Sequence, residues 1–224
     1  MKTYSAAKKK LLAYLDLQDA QGAFSDEAFA ELGRLVNIMR AESPVMAPLD
    51  ELEFVEGRWE TTFAHFGGKR SAGKPKIHDS TLFDHSFNRF PAVPIRVTRL
   101  CQEISAAENA YNNLVDYTAA DGRMRGLIIT RGRYRADPEN RQRFYVEFYR
   151  IELVPGVGFT EAQLRAALSS GDVRLSDEQS LFVDLKPPRL HSDVVYLDED
   201  MRINIGGLGG MYVLRRCNEK TLSI

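Results

Sequence analysis

The stretch IHDSTLFDH, residues 77–85, gathers His78, Asp79, Asp84 and His85 in a short span. Imidazole and carboxylate groups suit zinc or non-haem iron, so a metal-dependent enzyme would be sought here. The spacing matches no ligand motif, however, and His65 and His191 stand far off in sequence. The simpler reading is of polar residues on a strand or loop, with no metal, no cofactor and no catalytic residue. Ser80 lacks the glycine-flanked elbow that turns a serine into a nucleophile. The loop Gly206–Gly210 invites a phosphate reading, but phosphate loops place their amides at the start of a helix. This one leads into Met211, Val213 and their alternating neighbours, which read as a strand.

A second kind of chemistry is electrostatic. RGRYRADPENRQR concentrates Arg131, Arg133, Arg135, Arg141 and Arg143 around one hairpin tip. Such a prong suits anionic lipid head groups, at about 1 kcal/mol per charge near the surface. The alternative is a solvated hairpin tempered by Asp137 and Glu139. Asp198-Glu199-Asp200 would cap a turn or discourage wrong edge pairing, because an apolar cavity would desolvate carboxylates at a cost.

These residues need elements to hold them. Tyr4, Ala7, Leu11 and Leu15 form a helical stripe, with Lys8, Lys9 and Lys10 mostly off it. In QGAFSDEAFAELGRLVNIMRAESP, Ser25 is an N-cap, Phe29, Leu32, Val36 and Met39 share a face, and Pro44 ends the helix. From residue 51 the pattern turns to strands. GRWETTFAHF alternates Trp59, Thr61, Phe63 and His65 against Glu60, Thr62 and Ala64. VPIRVTRLCQ, NAYNNLVDYT, RMRGLIITRGRYR, RFYVEFYRIEL and QSLFVDL follow, with turns at Asp121-Gly122 and ADPENRQ. One helical pattern, TEAQLRAALSSG, interrupts them, and GGKRSAGKPK reads as a loop. The closing segment MRINIGGLGGMYVLRR reads as a hairpin. Many strands joined by turns point to a closed antiparallel barrel of about eight strands, since closure removes edges.

With 224 residues and a net charge of −1, the chain can bury a full core, and nothing global points to nucleic acid. Two cysteines, Cys101 and Cys217, suggest reduced thiols rather than a disulfide framework. The first residues lack a signal-peptide core, and no stretch is long enough to span a bilayer. The expectation is a soluble protein that begins near Met1, with residues 1–48 as a helical segment packing on a barrel domain, 49–224.

VVYLDEDMRINIGGLGGMYVLRR resembles the closing signature of the plastid lipid-associated protein family, the fibrillins. Tyr196, Leu197, Asp198, Glu199, Asp200, Arg202, Ile203, Gly206, Gly209, Val213 and Leu214 sit where that pattern wants them. VEGRWETTF is similar to the family's Gly-(Arg/Lys)-Trp opening strand. The turn departs from the family: Ile205-Gly206-Gly207-Leu208 stands where polar, Arg-Gly-Asp-like residues are usual.

The resemblance implies a mainly β, lipocalin-like fold, in which Trp59 plugs one barrel end and Arg215 or Arg216 lies across its ring. It also implies non-enzymatic binding or sheltering of a hydrophobic small molecule, such as a prenylquinone, carotenoid or acyl lipid, at a lipid or membrane surface. Phe63, His65, Ile129, Phe144, Val146, Phe148 and Ile203 are the candidates to line that ligand, with His65 orienting its polar end or merely satisfied in the interior. Two alternatives stay open: a filled barrel that coats lipid bodies or scaffolds membranes, and a metal-dependent enzyme using His78 and His85. The implied location is a bacterial cytoplasm, peripheral to membranes, or a plastid in a eukaryotic phototroph.

Overall fold

Ser25 starts the second helix as its type and position predict: extended at φ −72°, ψ 168°, it accepts a hydrogen bond from the amide of Ala28 on its side-chain oxygen. Asp26 and Glu27 occupy the positive first turn. The computed structural model describes residues 5–21, 24–65, 77–119, 122, 125–155, 172–175, 180–186 and 189–217. The expected loop at 67–76 and the expected helix TEAQLRAALSSG lie outside these residues. In chain order come α1 (Ala6–Gln21), α2 (Asp26–Ala41), the single turn α3 (Leu52–Val55), β1 (Gly57–His65), β2 (His78–Thr81), β3 (Pro94–Ser105) and β4 (Ala110–Ala119). Then follow β5 (Arg125–Ala136), β6 (Arg143–Pro155), β7 (Arg174–Leu175), β8 (Leu181–Asp184), β9 (Arg189–Leu197), β10 (Met201–Gly206) and β11 (Met211–Arg216).

The strands pair in the order β5-β4-β3-β1-β11-β10-β9-β6, and β5 also pairs with β6. That ring is a closed eight-stranded antiparallel barrel, preceded by the N-terminal helical segment. The number of strands is as expected, but the membership differs. β9 is in the ring, whereas QSLFVDL, containing β8, pairs with β6 at Arg150–Leu153 outside it.

The chain divides into two compact units. The first comprises residues 1–76, 136–145 and 190–224, and so holds the helices with β1, β10 and β11. Its core joins Leu11, Leu15, Leu32, Leu35, Val36 and Met39 of the helices to Phe63, Val195, Tyr196, Met201, Ile203 and Val213 of the sheet. Lys8 belongs to the buried stripe of α1 rather than its wet side, at 3% exposure. The second unit comprises residues 77–135 and 146–189. Ile95, Val97, Val115, Tyr117, Ile128, Ile151, Leu153 and Val183 form its core. Gly126 leaves the space that the Tyr117 ring occupies; any Cβ there would overlap it.

Two irregularities change which residues share a face. In β1, Thr61 opposes Leu214 while Phe63 opposes Val213. Leu214 and Val213 are adjacent on β11 and face opposite ways, so the bulge sends Thr61 and Phe63 to opposite sides. The expected single face Trp59-Thr61-Phe63-His65 is therefore split. In β6 the burial alternation Phe144, Val146, Phe148 slips one residue at Tyr149–Arg150 and resumes at Ile151 and Leu153. Ile151 thus lies on the same buried side as Phe148.

Met39 is fully buried where helix meets sheet. Met39→Ala is expected to lower unfolding free energy by about 2–5 kcal/mol, read from urea unfolding with an unchanged m-value.

Candidate functional site

α3 and β1 deliver Trp59 to full burial. Gly57, at φ 108°, makes the turn between them, and a Cβ there would stand 3.2 Å from Nη1 of Arg216. The indole Nε1 donates to the carbonyl of Val55 at 2.9 Å. Arg216 lies over the ring with Cζ 4.3 Å from its centroid, and Arg202 of β10 sits at 4.9 Å. Arg216 also donates to the carbonyls of Glu56 and Glu199, each at 2.8 Å, and to that of Phe54. Burial holds its pKa below the ordinary arginine value. Arg215, the other candidate for this contact, opposes Glu60 and Met201 and is exposed. Arg202, absent from the sequence reading of this site, is completely buried.

Arg202 opens a row of polar groups on the sheet face turned away from the helices. Arg202 and Thr61 both oppose Leu214 on β11, and Asn204 opposes Tyr212. Asn204 also opposes Val194 on β9, whose same-face neighbour two residues earlier is Ser192. Asn204 is 1% exposed and Thr61 7%. Neither amide atom of Asn204 has a hydrogen-bond partner, nor do the hydroxyls of Thr61 and Ser192. A buried polar atom left unmatched costs about 1–3 kcal/mol, and bound water as well as a ligand can supply the missing partner. Alternation alone places Arg202 with Asn204; the burial that matters is invisible in it.

The residues expected to line a ligand are dispersed. Phe63 packs against Phe24 with ring centroids 4.7 Å apart, His65 against Phe29 at 4.6 Å, and Ile203 sits in the same helix-facing core. The bulge thus carries Phe63 and His65 off the Trp59 face, which corrects the expected role of His65 beside Trp59. Phe144 is fully buried in the first unit. In the second, Val146 and Phe148 are buried, with Phe148 6.0 Å from the Tyr111 ring and 5.9 Å from Phe87. Ile129 opposes Leu114, on the face away from Ile128.

Carboxylates engage much of the arginine prong. Arg131 forms a two-pronged contact with Glu152 at 2.7 and 2.8 Å, and Arg143 does the same with Asp193 at 2.8 and 3.1 Å. Both carboxylates push their arginine's pKa up. Arg141 meets Asp50 at 3.0 Å, and Arg133 lies 4.9 Å from the Tyr149 ring centre. The paired arginines leave less net charge at the tip than their number suggests.

The acidic run caps and clamps. One oxygen of Asp198 accepts the amides of Asp200 and Met201 at 3.0 and 2.8 Å. The other accepts from Tyr196 at 2.5 Å and from the buried ammonium of Lys8 at 2.7 Å, while Lys8 also binds Asp200. Burial, then the bond to Asp198, raises the pKa of Tyr196, and burial pushes that of Tyr212 up to about 12.

The His78–His85 region is organised by Asp84. Its carboxylate accepts the Thr81 hydroxyl at 2.7 Å, the Thr81 amide at 3.2 Å and the Ser80 hydroxyl at 3.3 Å. The Thr81 hydroxyl is the first cause of its lowered pKa. Asp79 is held by Arg96 at 3.4 Å, and the two histidine rings stand 5.9 Å apart. Among the described residues, no group of three or more metal-ligating side chains is placed to hold an ion.

With this geometry in place, comparison with known families is decisive: the PAP_fibrillin family model matches residues 5–215. The chain belongs to the PAP_fibrillin family. That family is plastid lipid-associated, and its match runs from the start of α1 almost to the end of β11, one residue short of Arg216. No curated protein matches the chain. No described helix of this PAP_fibrillin member is long and apolar enough to cross a membrane.

Arg216→Lys keeps the charge but loses the planar overlay and the fork of carbonyl contacts. It is expected to cost about 2–4 kcal/mol of stability, measured by thermal and denaturant unfolding. A raised folded-state tyrosine pKa gives stability that is complete below the unfolded value near 10.0 and lost as pH rises through the folded one. Unfolding free energy should therefore fall above about pH 10, and Tyr196→Phe should flatten part of that fall in an alkaline titration.

Proposed function

We propose that this protein binds or shelters a hydrophobic small molecule of the prenylquinone, carotenoid or acyl-lipid class, without catalysing a reaction on it, in peripheral contact with a lipid surface. The observation that carries this reading is a lipid-associated family match laid over a closed eight-stranded barrel, an architecture able to hold one small ligand. The buried, unmatched polar groups beside Arg202 support it, because a face packed only for stability has no use for them. The paired arginines shift weight for any membrane contact from charge toward exposed apolar side chains such as Leu208, 71% exposed at the β10–β11 turn.

The second reading is a barrel filled by its own side chains, which coats lipid bodies or scaffolds membranes. The burial of Phe144, Val146 and Phe148, none more than 6% exposed, favours it. Organic extraction of the purified protein, followed by mass spectrometry and titration with a fluorescent polyene fatty acid, separates the two. Near-stoichiometric recovery of an apolar compound, or saturable probe binding, is expected. Empty extracts, no saturable binding and undiminished liposome flotation would instead establish the filled barrel.

A further inference from the structure

The polar groups on the helix-averted face identify which end of a ligand they meet. Asn204 presents a donor and an acceptor on one planar amide, both buried and both without a partner. Thr61 and Ser192 add two hydroxyls on the same face, and all three residues lie within the first unit. Arg202, two residues before Asn204 on β10, adds a buried positive charge to that face. With a strand spacing of about 4.8 Å and a same-face repeat of about 6.8 Å, Arg202 and Ser192 flank Asn204 within about 7–8 Å, and Thr61 stands about 12 Å from it across β11. The neighbouring positions on the face include the buried, apolar Ala64, Val194, Leu197 and Leu214, and Tyr212, which lies directly opposite Asn204.

We infer that this patch is the head-group subsite of an amphiphile, with Asn204 as its central contact and an acceptor oxygen, carboxylate or carbonyl, as the group recognised. The assignment rests on the hydrophobic-ligand reading and adds to it a polarity and a direction. An oxygen acceptor takes the Asn204 amide hydrogens, the Thr61 hydroxyl across β11 is available to a second oxygen of the head, and the Arg202 charge favours its partial or full negative charge. A pure hydrocarbon would leave the Asn204 amide and the Thr61 and Ser192 hydroxyls unmatched. Asn204, Thr61 and Ser192 therefore discriminate by head rather than by tail.

The experiment compares three probes with the same sixteen-carbon chain, palmitic acid, 2-hexadecanone and hexadecane, by displacement of a fluorescent polyene fatty acid. The protein variants are wild type, Asn204→Leu and the near-isosteric Thr61→Val. In wild type, the two oxygen-headed probes should bind at least tenfold more tightly than hexadecane, and their ratio shows whether the subsite prefers carboxylate or carbonyl. Asn204→Leu should lose about tenfold for both headed probes and nothing for hexadecane, while its ligand-free melting temperature rises because unmatched groups are gone. Thr61→Val should move in the same direction by about threefold, and it serves if the Asn204 variant fails to fold. Equal affinity for all three probes in wild type, or unchanged headed-probe affinity in both variants, would overturn the subsite while leaving hydrophobic binding intact. A lower ligand-free melting temperature with unchanged affinity would show that the amide serves the fold alone, through bound water. Wild type that binds none of the probes would overturn the broader reading as well.

Discussion

The approach of two guanidinium groups to the indole of Trp59 is the contact on which the first unit is organised. It joins α3, which supplies the carbonyl for Nε1, to β1, which carries the ring. It joins both to β10 and β11, which supply Arg202 and Arg216. Two cations beside one buried ring would repel each other in a bare apolar setting. Here the π electrons of the ring meet both charges, and the carbonyls of Phe54, Glu56 and Glu199 accept hydrogen bonds from Arg216. The cost of burying Arg216 is thereby turned into geometric specificity, since a planar fork fits this set of acceptors and a flexible ammonium does not.

From that anchor, the bulge after Thr61 decides the character of each sheet face. Before it, β1 contributes Trp59 and Thr61 to the polar face; after it, Phe63 and His65 turn to the helices. A regular strand would have placed Phe63 beside Thr61 and removed a large apolar side chain from the helix-facing core. The bulge thus gives the helices an aromatic seat and leaves the opposite side free for small and polar residues. One inserted residue separates the apolar, helix-facing side of β1 from the side that carries Trp59 and Thr61.

The legible parts of the sequence were those in which composition and geometry agree. The closing hairpin and the Ser25 cap follow from residue type and spacing, and the pairing of Trp59 with a late arginine from the family resemblance. Bulges escaped because one extra residue alters no composition and only shifts a phase. β9 escaped because Arg189–Asp193 is polar, and its apolar part, Val194–Leu197, reads as an approach to the acidic run. Arg202 and Lys8 escaped for a shared reason: a charged residue in an alternating strand or a lysine run resembles solvated surface, and only tertiary partners permit its burial. The dispersal of Phe63, Ile129 and Phe148 has the same origin, since apolar alternation says that a face is buried but not what buries it.

The Lys8 clamp has a consequence for the order of events in synthesis. Its two carboxylate partners lie 190 and 192 residues further along the chain. As the ribosome releases α1, that ammonium has neither of these counter-ions, and they arrive only with the turn between β9 and β10. Closing the clamp therefore costs the loop entropy of nearly the whole polypeptide. A nascent chain stalled before β9 carries α1 with Lys8 unclamped, and with α2 and Phe63 but no residue of β9–β11 to cover its apolar stripe.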